Sequence, residues 1–521
     1  MKFHFDYAST SALRSTRNAT DVRVATALNR QLRFHGRVVK HLFPLRIALR
    51  ALGEAIWSQD DWLASADILD PVITVHSDQI LLEAFSRDGS AYASLAVDPD
   101  IFETAGTVTF GTTNIDFSTW LWGALAEMRS SRDTWFHIGP DGMEVATTGG
   151  GSRFQPKVDV PDAWVRGFLE VQAAMAMPGT RFTARPVDLL AVIRFLRYNK
   201  AKLSPRALRY LFLPDEPVAV YLEPWEEKIV FKGSSHSYSE EHSVRQWGRR
   251  RLRVIEPLLP CADNVRVYLK GRARPSFFVV QLPGMKFTLG ISDASSNQGW
   301  MKSGHSLGAR FVARQCDDAR KLLIERTTAS SREVAEVLSV ERRDAENALI
   351  DLCRRGEAVY ELETRQFRHR QLFSEPIDLA AMFPPDIRSE RAAELLAGGS
   401  VRIRSLEPSE TRKFRKLKTP SGTIEREVIH RDWVVAGSMD GQDSVEITIS
   451  DSGRIIFGRC GCDHFRENLL NHGPCEHMLA LFESSADACK NLPTSVVGSA
   501  PPPAKPSPFD REALDNDDDD E

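Results

Sequence analysis

Cysteine is scarce, with seven in 521 residues and an odd total. A disulfide framework is excluded as the basis of the fold, and the usage is that of a reducing compartment. Apolar runs are short, and none approaches the roughly 18 residues that a helix needs to cross a bilayer. The opening MKFHFDYAST lacks the charged-then-apolar pattern of a secretory leader. A cytoplasmic protein with no membrane partner is the expectation. The phosphate-loop pattern GxxxxGK[ST], HExxH and GxSxG are all missing. The run Gly149-Gly150-Gly151-Ser152 has no lysine after it and reads as a turn. No enzyme activity is expected. An excess of positive charge is missing too, since the net charge is −4. Residues 510–521 hold eight acidic residues against one arginine, and without that −7 the rest of the chain is +3. Any nucleic-acid contact must therefore come from local basic patches.

A length of 521 residues sets a prior of about three domains at roughly 150 residues each. Residues 1–36 form an N-terminal segment without clear periodicity. From there the chain repeats itself. HLFPLRIALRALGEAIW places Leu45, Ala48, Leu49, Leu52 and Ile56 on one helix face, with Arg46 and Arg50 on another. Alternating strand-like runs follow, then a second helix in IDFSTWLWGALAEMRS and a hairpin in TWFHIGPDGMEVATTG. The order returns with PVDLLAVIRFLRYNK, carrying Arg194 and Arg197, and with strands. A basic helix GRRRLRVIEPLLP then holds Arg249, Arg250, Arg251 and Arg253 before three more strands. Residues 37–155 and 180–293 thus share one α+β plan. The loop with His236, Glu240, Glu241 and His242 reads as polar and not as a metal site.

The phrases PLRIALRALGEAIW and ITVHSDQILLEAFSRDGSAYASLAVDPDIF, with their partners in the second copy, resemble the sliding-clamp fold of the proliferating-cell-nuclear-antigen type. That resemblance implies helices that carry arginine toward DNA phosphate, sheets that face outward, and a homo-oligomer as an open question.

Residues 310–372 give the clearest helical text. RFVARQCDDARKLLIER, SSREVAEVL and RRDAENALIDLCRRG are three helices, the second opened by a Ser cap with Glu close behind. EAVYELETRQFRHRQLF is a hairpin. This segment resembles the winged helix-turn-helix family. By that resemblance the helix from Glu341 to Arg355 would be the recognition helix, with Arg342 and Arg343 toward phosphate. The hairpin with Arg365, Arg368 and Arg370 would be the wing. Glu341, Asp344 and Glu346 on the same helix would repel DNA, so protein docking stands as the other reading.

Residues 398–485 end in Cys460-Gly461-Cys462, then Cys475-Glu476-His477 twelve residues later. Strands SVEITIS and RIIFGRC precede the first pair, and helix HMLALFESS opens at the second. Zinc takes four such ligands in a tetrahedron. Gly461 permits a sharp turn, and a helix start favours the Cys475 thiolate. His464 and His472 are rival ligands. The spacing C-x-C-x12-C-x-H resembles the SWIM zinc finger, which implies structural Zn2+ and binding of DNA or protein.

Arg412, Lys413, Arg415, Lys416 and Lys418 form the densest basic patch, readable as a phosphate contact or as a charged strand edge. Residues 491–521 are Pro/Ser-rich, then acidic, and are expected to be a disordered tail. The whole is an α+β multidomain chain of two clamp-like repeats, a winged helix-turn-helix and a small β-hairpin/helix zinc module. A zinc-binding, DNA-associated accessory protein of repair, replication or genome defence is expected, with other protein subunits, an ATPase among them, as partners. The alternatives are a protein-interaction scaffold and a winged-helix transcription regulator.

Overall fold

The computed structural model describes residues 3–4, 12–15, 19–23, 32–56, 71–86, 89–114, 125, 128–131, 133–139, 142–145, 159–160, 162–201, 206–271, 274–292, 313–373, 387–419, 422–450, 455–471, 473–485 and 496–497. Most of segment 1–36, the helix expected in 115–130, the turn at 149–152 and nearly all of the tail 491–521 lie outside these residues. Among the described residues, no helix is long and apolar enough to cross a membrane. The chain divides into two compact units. One holds 1–200, 206–222 and 227–386, and the other holds 201–205, 223–226 and 387–521. The segments read from sequence as two repeats and a third helical module fall together in the first unit.

In that unit one plan recurs: a strand, a helix, then three strands. It begins with β1 (Phe34–Val38), α1 (Leu42–Ile56), β2 (Val72–Val75), β3 (Ile80–Phe85) and β4 (Ala91–Val97). Leu45, Ala48, Leu49, Leu52 and Ile56 of α1 are buried, so the periodic face is the packed face. The plan resumes with β5 (Gly111–Asn114) and continues in β6 (Asp133–Gly139) and β7 (Gly142–Val145). After α2 (Asp162–Ala176) come β8 (Thr180–Ala184), α3 (Pro186–Tyr198), β9 (Leu208–Phe212), β10 (Ala219–Leu222) and β11 (Glu227–Val230). The last copy runs β12 (His242–Gln246), the helix Arg249–Cys261, β13 (Asn264–Leu269), β14 (Ser276–Leu282) and β15 (Met285–Ile291). The segment Arg249–Cys261 winds as a 3-10 helix, with Pro257 and Pro260 inside it, and not as the α-helix read from sequence. Proline has no N–H for the α-helical ladder, which accounts for the tighter winding.

An eight-stranded sheet, in the order β8-β13-β14-β15-β4-β3-β2-β5, joins the two repeats. Its seam is the antiparallel pairing of β15 with β4, from Met285 opposite Val97 to Ile291 opposite Ala91. Strands β11-β10-β9-β12 form a four-stranded sheet. Helix α1 and the 3-10 helix pack on β3, β4, β14 and β15, and the 3-10 helix also packs on α3, which gives one helical layer.

The rest of the first unit is α4 (Ala313–Arg326), β16 (Thr328–Ala329), α5 (Ser331–Leu338), α6 (Arg342–Arg354), β17 (Ala358–Glu361) and β18 (Gln366–His369). Ser330 and Glu333 close a reciprocal capping box at the start of α5. The three strands pair in the order β16-β18-β17. This subassembly is fixed to the large sheet by charge. Arg370 donates to Glu83 of β3, and both side chains are 0% exposed. The other oxygen of Glu83 accepts from Tyr92 Oη at 2.7 Å and from Gln172 Nε2 at 3.1 Å. Gln172 in turn accepts from the Tyr360 amide at 3.0 Å. Arg368 grips Asp78 with two bonds of 2.7 and 2.9 Å and donates to Glu361 at 2.6 Å. At the hairpin tip, Glu363 pairs with Arg266 at 2.9 Å and with Lys286 at 3.5 Å.

Breaking a buried pair from one side leaves a charge in an apolar interior and costs about 3–5 kcal/mol, whereas replacing both partners by apolar groups costs far less. Arg370→Met is therefore expected to lower the unfolding free energy of the first unit by about 3–5 kcal/mol. Glu83→Leu added to it should recover most of that loss in denaturant titrations. A neutral single variant would show that the pair does not hold the hairpin.

His76 offers a second test. Burial, then the Arg368 guanidinium, holds its imidazole down to about 3, against 6.5 in the unfolded chain. Between these values the unfolded state binds a proton that the native state does not, so stability falls as pH drops, by up to about 1.4 kcal/mol per unit. His76→Gln should remove about 2 kcal/mol of the loss between pH 6.5 and 5, seen as a flatter dependence of Tm on pH. An unchanged slope would assign the loss to other groups.

Candidate metal centre

The second unit is a sheet with helices on one face. Its elements are α7 (Ile387–Ala397), β19 (Arg402–Thr419), β20 (Gly422–Met439), β21 (Gln442–Ser450), β22 (Ile455–Arg459), α8 (Asp463–Asn468), α9 (Glu476–Ser485) and β23 (Val496–Val497). The strands pair in the order β19-β20-β21-β22. Val435, Val445, Ile447, Met478 and Leu481 share one core with Ala392 of α7 and with the three clustered cysteines. Helix α9 sits close on β22, because a side chain at Gly458 would meet the Met478 thioether at 2.8 Å.

Cys460 and Cys462 follow the end of β22, and Cys462 caps α8. Cys475 immediately precedes α9, and His477 lies in its first turn. A donor atom from each of the four lies within 4.8 Å of the others, and this is the metal-capable group found among the described residues. The cysteines are buried and His477 is nearly so. Packed this closely, the thiols bias one another's ionisation. Cys475 is pushed up to about 12 by its hydrogen bond to Cys460 and by burial. The same hydrogen bond lowers Cys460, and burial raises Cys462. His477 Nδ1 is buried with no hydrogen-bond partner, and Glu476 lies 3.8 Å from it.

These residues fit a borderline-soft divalent ion. Three thiols and an imidazole converge, and a tetrahedral zinc site needs donors about 3.5–3.8 Å apart, a small contraction of the group. An ion held by all four would cross-link the end of β22 to α8 and α9, and its role would be structural, since a closed four-ligand shell leaves no open position. Gly461 has a different duty from the sharp turn expected of it. Its amide donates to Gln442 Oε1 at 3.1 Å, and a side chain there would meet that oxygen at 2.8 Å. Cys460 Sγ lies 3.6 Å from the same oxygen. Gln442 is thus an outer partner of the site that the ligand spacing gave no hint of. Of the rival ligands, His464 is outside the group although its Nε2 is buried without a partner, and His472 lies outside the described residues.

The expected basic contacts separate sharply. Arg368 and Arg370 are buried and engaged by Asp78, Glu361 and Glu83, so they are not phosphate contacts. Arg249 is buried as well and donates to the Ala207 carbonyl at 3.0 Å. The 3-10 winding turns it toward the core, while Arg250 is exposed and Arg251 and Arg253 are half-buried. Arg342 and Arg343 are exposed at the start of α6. The body of that helix, however, buries Ala345, Ala348, Leu349, Ile350, Leu352 and Cys353, because α2 packs on one side of it and α4 and α5 on others. Its exposed surface is at its start, where Glu341 and Asp344 accompany the two arginines. Arg412 is exposed and paired with Glu410 at 2.7 Å and with Glu427 at 3.5 Å. Lys416 is exposed. For Lys413, Arg415 and Lys418 only the strand position is described. His236, Glu240, Glu241 and His242 form no metal-capable group.

No protein-family model matches the chain, and no curated protein matches it. Among solved structures, 50% of the chain is similar to 97% of the proliferating cellular nuclear antigen from Entamoeba histolytica, with a TM-score of 0.36 and 13% identity. The PCNA2-PCNA3 complex from Sulfolobus tokodaii is similar over 49% of this chain and 98% of its own, with a TM-score of 0.34 and 10% identity.

Metal content tests the centre directly. The purified chain should carry one tightly held ion, and Cys475→Ser should lose it and unfold the second unit while the first keeps its transition. Retention of a stoichiometric ion by that variant, measured by elemental mass spectrometry, would refute the ligand set.

Proposed function

We propose that this chain is a non-catalytic, zinc-binding accessory protein that associates with DNA in repair, replication-linked or genome-defence work. In this reading the repeats of the first unit are clamp-like and the second unit carries a SWIM-type zinc finger in which Zn2+ is the ion. The cytoplasm is its compartment, and other protein subunits, with an ATPase among the candidates, are its partners. The observation that carries the DNA association is the helical layer. Helix α1, the 3-10 helix and α3 pack side by side and expose Arg50, Arg250 and Arg194. The doubled plan of strand, helix and three strands, closed into one sheet across the repeat seam, supports the clamp-like part. Three exposed guanidinium groups on one layer suit a sequence-independent phosphate surface.

A protein-interaction scaffold is the second reading. It is favoured by the docking of α6 and the β17–β18 hairpin against the large sheet, which spends the arginines a DNA-reading wing would need. In either reading the α4–α6 module, whose order resembles a winged helix, acts by protein contact within its own chain. The transcription-regulator reading loses its support with the burial of α6 and of the two wing arginines.

Duplex DNA binding by the metal-loaded protein over a salt series decides between them. Binding should weaken steeply with salt. The triple variant Arg50→Glu, Arg194→Glu, Arg250→Glu should lower the log–log slope by about 2–3, at roughly 0.9 per lost phosphate contact. Absence of binding at low salt, with metal confirmed present, would favour the scaffold.

A further inference from the structure

Strands β19 and β20 outrun the sheet that holds them. They pair with each other as far as Thr419 opposite Gly422. The next strand, β21, accompanies β20 only from Met439 to Asp432. Residues 409–419 and 422–431 therefore project as a two-stranded ribbon of about 30 Å, at about 3.3 Å per residue.

The register sorts the charges of this ribbon. Residues directly opposed in an antiparallel ladder share a face, and neighbours along a strand alternate. One face takes Glu410, Arg412, Lys416, Lys418, Glu425, Glu427 and Arg431. Its ions pair among themselves, Arg412 with Glu410 and Glu427, and Arg431 with Glu410 at 3.1 Å. The other face takes Lys413, Arg415 and Arg426, with His430 behind them. No carboxylate falls on its register positions between 411 and 430. A charge of +3 is left on that face without an acidic counterpart on the ribbon.

The chain itself supplies one. Strand β23 pairs with β20 beyond the end of β21, with Val496 opposite Ile429 and Val497 opposite Val428. The pairing is antiparallel, so β23 itself runs toward the ribbon's turn. Thirteen residues later begins the segment 510–521, with its eight acidic residues and one arginine. Thirteen residues reach about 40 Å when extended, and the turn is only about 20 Å from Val428. The acidic segment is thus tethered through β23 to the strand that carries Arg426, by enough chain to reach the basic face.

We propose that residues 510–521 dock on the Lys413, Arg415 and Arg426 face of the ribbon in the same chain and shield it. The contact is one of exposed charges, strong at low salt and screened within a Debye length of about 8–10 Å near physiological ionic strength. The docking stands on register and charge alone; only its meaning as a brake on DNA binding rests on the reading above.

Zero-length carbodiimide coupling tests it on the full, metal-loaded chain. Lys413 should form amide cross-links to carboxylates of 510–521 within single chains, mapped by mass spectrometry and lost in high salt. Arg415→Glu with Arg426→Glu keeps Lys413 as reporter and should abolish them. Arg412→Glu with Lys416→Glu, on the opposite face, should leave them in place. No cross-link from Lys413, or equal loss in both pairs of variants, would overturn the docking. A chain ending at residue 506 should bind duplex DNA severalfold more tightly than the full chain at low salt if the ribbon also meets DNA. Cross-links that persist while this truncation leaves DNA affinity unchanged would uphold the docking and remove the ribbon from the DNA reading.

Discussion

A carboxylate and a guanidinium closed off from water, Glu83 and Arg370, set the arrangement on which the first unit depends. Neither could remain charged alone in an apolar interior, where an unpaired ion costs several kcal/mol. The hairpin that carries Arg370 must therefore lie on the strand that carries Glu83. Tyr92 and Gln172 complete the acceptor's partners, and Gln172 passes the constraint to the backbone of β17. Much follows from this contact. Helix α6 is wedged between α2 and its own neighbours, the would-be wing is consumed, and a module that looks separable in sequence is part of a single body with the repeats. Charge that could have met phosphate from the hairpin is spent on cohesion, while Arg50, Arg194 and Arg250 stay exposed on the helical layer.

How much of this could be read from the sequence depends on the range of each interaction. Helix α1 was legible, because its buried face recurs within fifteen residues. The cluster of Cys460, Cys462, Cys475 and His477 was legible for the same reason: a strand end, a tight Cys-x-Cys and a helix start are local features that bring donor atoms together. The partners of Arg370 and Arg368 were not, since they lie 287 and 290 residues away. A faint sign of them existed. Glu83 stands in ILLEAF, a strand whose every residue is buried, and a lone acid in such a run needs a cation from somewhere. The 3-10 winding of Arg249–Cys261 had a sign too, in its two prolines. The length of β19 and β20 had none, because charged residues on both faces of an exposed ribbon erase the alternation by which strands are recognised.

The two units are held together internally by different means. The second is built from neighbours in sequence, with β19 to β22 following one another across the sheet and the metal-capable group spanning Cys460 to His477. The first closes through pairings between distant segments, above all β15 against β4. Local closure around a group that could hold an ion suits a module that responds to its surroundings. Distant closure with a buried ion pair suits a rigid body.

That distance has a cost during synthesis. Ribosomes deliver roughly 5–20 residues per second, and the domains of a nascent chain fold in the order they emerge. Glu83 leaves the ribosome 287 residues before Arg370, an interval of about 15–60 s at those rates. Until Met285–Ile291 emerges, β4 lacks the strand that completes its sheet, and throughout the interval Glu83 lacks its cation. The first repeat must wait as an open, sticky edge, the kind of intermediate that chaperones guard. The same contact that makes the finished unit one piece makes its translation the vulnerable stage of its life.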